Sequence, residues 1–451
     1  MTTLDSITAA LIDSEYRRSL RRIHRHLPDS GLPQPVTDVY EPVTGSTLSD
    51  LTFLHEMQAS NQPTQYRLIR SSLAEVFLLE KGRASLDAMT QARKSGRFCG
   101  KTHLEHYGDL QSTRDKTLWK EKCSQWARAS RAIFARPTQR LIDDLSRATR
   151  KLGMTLDEYY RTFLGAKKSA ARAAEQLSNS TQDTPLTACG REARLAVEEQ
   201  LTSKIPELCK RLRKDLEIPV EIYESDTGEE VNYRDNGKMV SKVFLPMRYG
   251  AHSLATAFHE LGHAFFTMAP RKGRLPRLAA NLDLHLNECG AALLESAFPH
   301  PVIRDYLLPS LDASLTDAYD WTCQRLFRLR TLLPGALIVL SDNALIRGAS
   351  HIEIESSFAG VIRDINPDYE GVEEIGAAYW GMRFGLPLIQ PSGYVFAHTG
   401  REFFNRLLAA HGTGKTPFPH PLSAGWRQAR AIFGRVSTVG GLQRVIRKAL
   451  P

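Results

Sequence analysis

The chain has no CxxC pair, no long apolar run, no repeat of fixed period and no strong excess of one charge. Each absence removes a class of protein. Its six cysteines, Cys99, Cys123, Cys189, Cys209, Cys289 and Cys323, are scattered over 451 residues, which is unlike a disulfide framework and suits a reducing compartment. The longest apolar stretch, Leu332 to Leu340, is broken by Pro334 and Gly335 and is too short to cross a bilayer. Met1-Thr2-Thr3-Leu4-Asp5 carries an early acid and lacks the basic-then-apolar order of a secretory signal. A cytoplasmic location without membrane attachment is therefore expected. The net charge of +9 comes from 59 basic and 50 acidic side chains, and solubility alone accounts for so mild an excess. What remains is an ordinary globular composition, with room for one large unit or for two or three subdomains.

What is present is concentrated in Phe258-His259-Glu260-Leu261-Gly262-His263-Ala264-Phe265. Two imidazoles four positions apart lie on one face of a helix and can bind one metal ion. Glu260, displaced around the helix, is placed to hold and deprotonate a water rather than to ligate. Leu254, Phe258, Leu261, Phe265 and Met268 form an apolar stripe at helical spacing, and the two histidines fall on the opposite side. Ser253 reads as the cap and Pro270 as the stop, giving a helix over about 253–269. A catalytic zinc needs three protein ligands and one open position. A third histidine ten residues after the first is absent, because that position is Ala269, so the metzincin pattern fails. Glu288, His285 and Asp283 are the downstream candidates. Cys289 reads as a packing residue.

The run Thr256 to Ala264 resembles the core motif of the thimet oligopeptidase and oligopeptidase F family of gluzincin metallopeptidases. In that family the third zinc ligand is a glutamate about 25 residues past the second histidine, with another glutamate seven residues on. Glu288 and Glu295 stand at those positions, so the resemblance selects Glu288 as the third ligand of a single zinc ion. Ser392-Gly393-Tyr394-Val395-Phe396-Ala397-His398-Thr399-Gly400 is similar to the family's C-terminal glycine- and tyrosine-rich stretch, in degenerate form. Tyr394 matches the first tyrosine and His398 replaces another, so the resemblance makes these two the candidate oxyanion donors. It covers residues 220 to 451 and implies short, unstructured peptide substrates. The implied fold is mainly α, a helical zincin-type metallopeptidase with a small β-sheet beside the active-site cleft.

The remaining chain is read as scaffold. Arg17, Arg18, Arg21, Arg22 and Arg25 lie on a first helix whose basic face is expected to be solvated. No RNA-binding aromatic motif accompanies them, which argues against nucleic acid. Helical patterning runs from Thr64 to about Glu175, and Gln176 to Thr187 reads as a linker. The expected division is a mostly helical region over 1–188 and a catalytic region over 189–451. Helix resumes from Glu192 to Asp215. Val220–Tyr223, Val231–Arg234 and Lys238–Leu245 read as strands, the last two joined by Asp235-Asn236-Gly237 as a hairpin turn. Val240 to Leu245 is expected to be an edge that holds an extended peptide. Trp321, Phe327 and Leu333 read as core. Gly412-Thr413-Gly414-Lys415-Thr416 ends like a phosphate loop but follows helical patterning, and is rejected.

The expected chemistry is peptide hydrolysis, with zinc on His259, His263 and Glu288, Glu260 as proton carrier, and Tyr394 or His398 toward the oxyanion. Glu295 is expected to orient a ligand histidine. The competing readings are a metal-retaining peptide-binding protein with little or no turnover, and a basic nucleic-acid-associated protein.

Overall fold

The computed structural model describes residues 4–33, 81–111, 113, 115–151, 190–225, 228–235, 238–248, 250–267, 284–301, 315–326 and 421–435, with short pieces elsewhere between 304 and 448. The first helix, α1, spans Leu4–His26. A helix over 81–95 follows, then α2 (His103–Gln111) and α3 (Lys116–Lys151). On α3 the residues Trp119, Cys123, Trp126, Ile133, Phe134, Leu141 and Leu145 recur at steps that keep one face buried. Between the 81–95 helix and α2 lies a hairpin that helical patterning missed, β1 (Arg97–Phe98) against β2 (Lys101–Thr102). Its turn residues Cys99 and Gly100 take φ of 48° and 79°, the left-handed pair that a two-residue hairpin requires.

Helix α3 is tied to distant parts of the chain. Arg131 pairs with the buried Glu355 and with Glu374, and the Lys120 ammonium donates to the carbonyl of Glu370 at 2.9 Å. The expected linker at 176–187 lies outside the described residues.

Helix α4 runs Arg191–Asp215. Val197, Leu201, Ile205, Leu208 and Leu212 are buried along it, a helical apolar stripe. Three strands follow: β3 (Val220–Glu224), β4 (Glu229–Asp235) and β5 (Lys238–Leu245). The β4–β5 hairpin forms as the turn residues predict, with Asp235 paired to Lys238. The strand order is β3-β5-β4, with β3 parallel to β5. Lys238–Leu245 is therefore the central strand, not an edge. Its main chain is engaged on both sides, which overturns the expectation that it holds a peptide. Turn signals identify which strands are joined; they do not say which side a third strand takes.

The two faces of the sheet bury against different partners. Val220, Ile222, Val243 and Leu245 join the main core, together with α4 and the next helix, α5 (Gly250–Thr267). Val231, Tyr233 and Phe244 pack instead on Ile23 and Leu27 at the end of α1. Arg22 does not belong to a solvated face: its guanidinium donates to Glu229 Oε1 at 2.6 Å and to the carbonyl of Glu230 at 2.7 Å. His26 stacks on Phe244 and bonds Glu229 Oε2 at 2.6 Å. The remaining elements are α6 (Leu284–Glu295), a helix over 315–326 and α7 (Pro421–Phe433). Trp321 is half-buried, with the guanidinium groups of Arg194 and Arg325 over its ring at 4.4 and 5.0 Å. Phe327, Leu333 and the phosphate-loop lookalike at 412–416 lie outside the described residues.

Candidate metal centre

Helix α5 begins at Gly250, three residues before the expected cap at Ser253, which is instead buried within the helix. The cap comes from another helix. Glu198 of α4 accepts the Ala251 N–H at 2.8 Å, and the Thr202 hydroxyl accepts the Gly250 N–H at 3.0 Å. This satisfies donors left free in a first turn. Gly250 has φ of +45°, and a Cβ there would sit 1.9 Å from Glu198 Oε2, so only glycine fits beneath this cap. Met268 and the stop expected at Pro270 lie outside the described residues.

The apolar stripe of α5 is buried as expected, but so is the opposite side. Ala255, Ala257, Ala264 and Phe266 are as inaccessible as Leu254 and Phe258, which makes α5 a central helix rather than an amphipathic one. Its second face meets α6 at glycine contacts. A Cβ on Gly262 would lie 2.8 Å from Ala291 Cα, and one on Gly290 would lie 3.0 Å from Phe266. Two missing side chains let the helices approach closely enough for Glu288 to reach the histidines.

There the structure brings together His259, His263 and Glu288, all buried, with one donor atom from each within 4.8 Å of the others. The Nε2 atoms of His259 and His263 are 3.1 Å apart. Glu288 Oε2 lies 3.4 Å from the first and Oε1 lies 3.8 Å from the second. Ligands at zinc distances of about 2.0–2.1 Å on a tetrahedron stand about 3.3–3.4 Å from one another, so the observed triangle has the size of one tetrahedral face. The His259 Nδ1–H donates to Glu295 Oε2 at 2.7 Å, which turns Nε2 toward His263 and Glu288. The other Glu295 oxygen is ion-paired with Arg330, which also donates to the Thr256 hydroxyl at 3.1 Å. His263 Nδ1 has no partner among the described residues. Two carboxylates, Glu288 and Glu295, meet the imidazoles against one guanidinium, and a divalent cation would add positive charge there. The donor set and its spacing fit zinc.

The proton affinities of these groups reflect the charges packed around them. Burial alone would push His259 down, but Glu288 and Glu295 outweigh it and hold the imidazole up at about 10. Burial likewise works against Glu295, yet Arg330 and His259 bring it down to about 2. Glu288 is shifted down against burial by His263 and His259. A cation bound at Nε2 would compete with that proton.

Glu260 lies on the side of α5 turned toward the sheet. A Cβ on Gly228, just before β4, would be 3.2 Å from Glu260 Oε1. Cys289 is buried in the core and is not part of the metal triangle. Asp283, Tyr394 and His398 lie outside the described residues, as does the side chain of His285. Sequence reasoning did not single out Arg330, Gly228 or the strand residue Glu230, which is buried with Asn232 and Ser241 on the sheet face toward α5. Alternation along β4 was the available signal: Val231 and Tyr233 share one face, which leaves Glu230 and Asn232 on the other.

No known family description matches the chain, and no curated protein matches it. Among solved structures it is similar to "PZ peptidase A with inhibitor 2", with a TM-score of 0.51 and 14% identity, over 98% of this chain and 86% of that one. The M32 carboxypeptidase from Deinococcus radiodurans R1 gives a TM-score of 0.44 at 12% identity, over 99% and 91% of the two chains. Trypanosoma cruzi metallocarboxypeptidase 1 gives 0.41 at 12%, over 99% and 93%. The likeness to PZ peptidase A shows the fold and nothing further: mainly α, with a small sheet beside the candidate centre. The two lower scores add nothing to that.

Proposed function

We propose that this chain is a zinc-dependent peptidase that binds one zinc ion through His259, His263 and Glu288 and hydrolyses short peptides. The observation that carries the reading is the triangle of two Nε2 atoms and one carboxylate, with edges of 3.1, 3.4 and 3.8 Å, beside a further carboxylate on the same helix. Zinc, when bound, supplies Lewis acidity, bringing the pKa of water toward neutrality and polarising the scissile carbonyl. Glu260 takes the proton from the attacking water and delivers it to the leaving amine. Glu295 holds His259 in the tautomer that keeps Nε2 free, and Arg330 keeps Glu295 ionised. Tyr394 or His398 donates a hydrogen bond to the tetrahedral oxyanion, a contribution of about 3 kcal/mol when well placed.

Oligopeptidase-like selectivity for short, unstructured peptides rests on the resemblance around Thr256 to Ala264 and on Glu288 and Glu295. A cytoplasmic setting is supported by the scatter of the six cysteines and the lack of a CxxC pair. No helix among the described residues is long and apolar enough to cross a membrane.

The test compares the zinc-loaded chain with Glu260→Gln on a mixed peptide library, with metal content measured in both. The expected result is equal zinc and a loss of turnover on the order of 10²–10⁴-fold in the variant. Equal cleavage by the two proteins would remove Glu260 from the chemistry. Zinc retained without turnover in the unmodified chain would favour the peptide-binding alternative.

A further inference from the structure

We propose that Glu230, framed by Asn232 and Ser241, is a subsite for a positively charged group of the peptide substrate beside Glu260. The inference deepens the peptidase reading and rests on it.

The placement comes first. Glu230 pairs with Val243 and Asn232 with Ser241 across the β4–β5 ladder. Val243 belongs to the core shared with α5, so these side chains stand on the face turned toward the metal helix. Just before them, the chain passes so close to α5 that a Cβ on Gly228 would meet Thr256 Cγ2 at 2.2 Å and Glu260 Oε1 at 3.2 Å. Accessibility follows the same line. Glu230 and Asn232 keep 7% and 8% of their surface, like Glu260 at 9% and His263 at 8%, whereas Val231 and Val243 keep none. The two carboxylates are close enough for the charge of Glu260 to act on Glu230.

The hydrogen-bonding inventory then specifies the ligand. Glu230 Oε1 accepts from the Ser241 hydroxyl at 2.6 Å and Oε2 from Asn232 Nδ2 at 3.1 Å. Both donors are neutral, and a carboxylate has further lone pairs to offer. Among the described residues no cation pairs with this carboxylate. Arg22, the nearest candidate, is committed to the Glu229 side chain and the Glu230 carbonyl. Asn232 Oδ1, equally buried, has no partner among the described residues. A carboxylate and an unused amide oxygen together are acceptors for an ammonium or guanidinium. The groups that act on Glu230 are Ser241 from β5, Arg22 from α1, Glu260 from α5 and Glu229 on its own strand, the last with its side chain on the opposite face. Burial, with the charges of Glu260 and Glu229 added, pushes its pKa up to about 8 against Ser241 and Arg22. An arriving cation draws that proton off, so the preference for charged substrate strengthens as pH rises toward 8.

The experiment scans lysine against norleucine through each position of a cleaved peptide, with free and acetylated N-termini. It uses the zinc-loaded chain and its Glu230→Gln and Ser241→Ala variants. Dissociation constants for the same peptides on zinc-loaded Glu260→Gln read binding without turnover. At one position lysine is expected to exceed norleucine by about tenfold, the size of one charge-assisted hydrogen bond. That ratio falls toward one in Glu230→Gln and survives in Ser241→Ala, which loses a buried hydrogen bond but no charge. If the advantage follows the free α-amine instead of a side chain, the cation is the peptide N-terminus and the subsite stands. Peptides that bind without any cationic advantage, or an advantage that Glu230→Gln leaves intact, overturn the subsite alone. Failure of both peptide sets to bind overturns the peptidase reading with it.

Discussion

Two buried histidines, His103 at the α2–α3 contact and His259 at the α5–α6 contact, respond to burial in opposite ways. His103 accepts the Trp126 indole N–H at 2.9 Å, and burial, with Arg93 and His106 adding to it, pushes its pKa down to about 4. His259 is also deeply buried, 2% exposed against 1% for His103, yet Glu288 and Glu295 raise it to about 10. The difference lies in the partners. One ring is a neutral acceptor in a core, while the other is surrounded by more negative charge than the protein neutralises. Burial depth alone does not separate a packing histidine from a candidate metal ligand; the sign of its surroundings does.

The comparison breaks most visibly at Glu288. Glu288→Ala is expected to abolish stoichiometric zinc binding, measured by metal analysis after dialysis. His103→Phe should keep full zinc while losing about 1–3 kcal/mol of stability, because the Trp126 N–H is left unsatisfied. Next in size, Glu295→Gln weakens the orientation of His259 and strands Arg330. Zinc affinity is expected to fall by about 10–100-fold in a competition titration with a chelator.

The two histidines also predict opposite pH limbs. His103 is depressed to about 4 from an ordinary 6.5, so its contribution is present above 6.5 and is lost as pH falls through about 4. His259 in the metal-free chain is raised to about 10 from 6.5. Its contribution is complete below 6.5 and is lost as pH rises through about 10. Urea midpoints across pH should therefore show an acid limb that His103→Phe flattens and an alkaline limb that His259→Gln flattens. Zinc should suppress the alkaline limb by taking the proton's place. The smallest expected effect is at the helix contact itself: Gly262→Ala forces α5 and α6 apart at a cost of about 1–3 kcal/mol, read from the urea midpoint, with weakened zinc binding.

Much of the candidate centre is legible in sequence because helical geometry is local. Residues 259, 260 and 263 need only one turn of helix to define two facing imidazoles and a displaced carboxylate. The pairing of β4 with β5 is legible for the same reason: Asp235-Asn236-Gly237 is a turn signal in the sequence alone. The resemblance to a known family supplied Glu288 and Glu295, which no local rule reaches.

Other features depend on segments far apart in the chain. Arg330 behind Glu295, Glu198 beneath the start of α5, Gly228 against Glu260, and Arg22 on β4 are each set by elements whose own patterning is silent about partners. The position of β3 beside β5, which turned a presumed edge into the middle of the sheet, is likewise a matter of chain return. Local periodicity determined which residues face one another along a helix or across a hairpin. Only the packed chain decided which helices and strands approach, because burial rewards any apolar face and leaves the choice of neighbour to shape and to the pairing of charges.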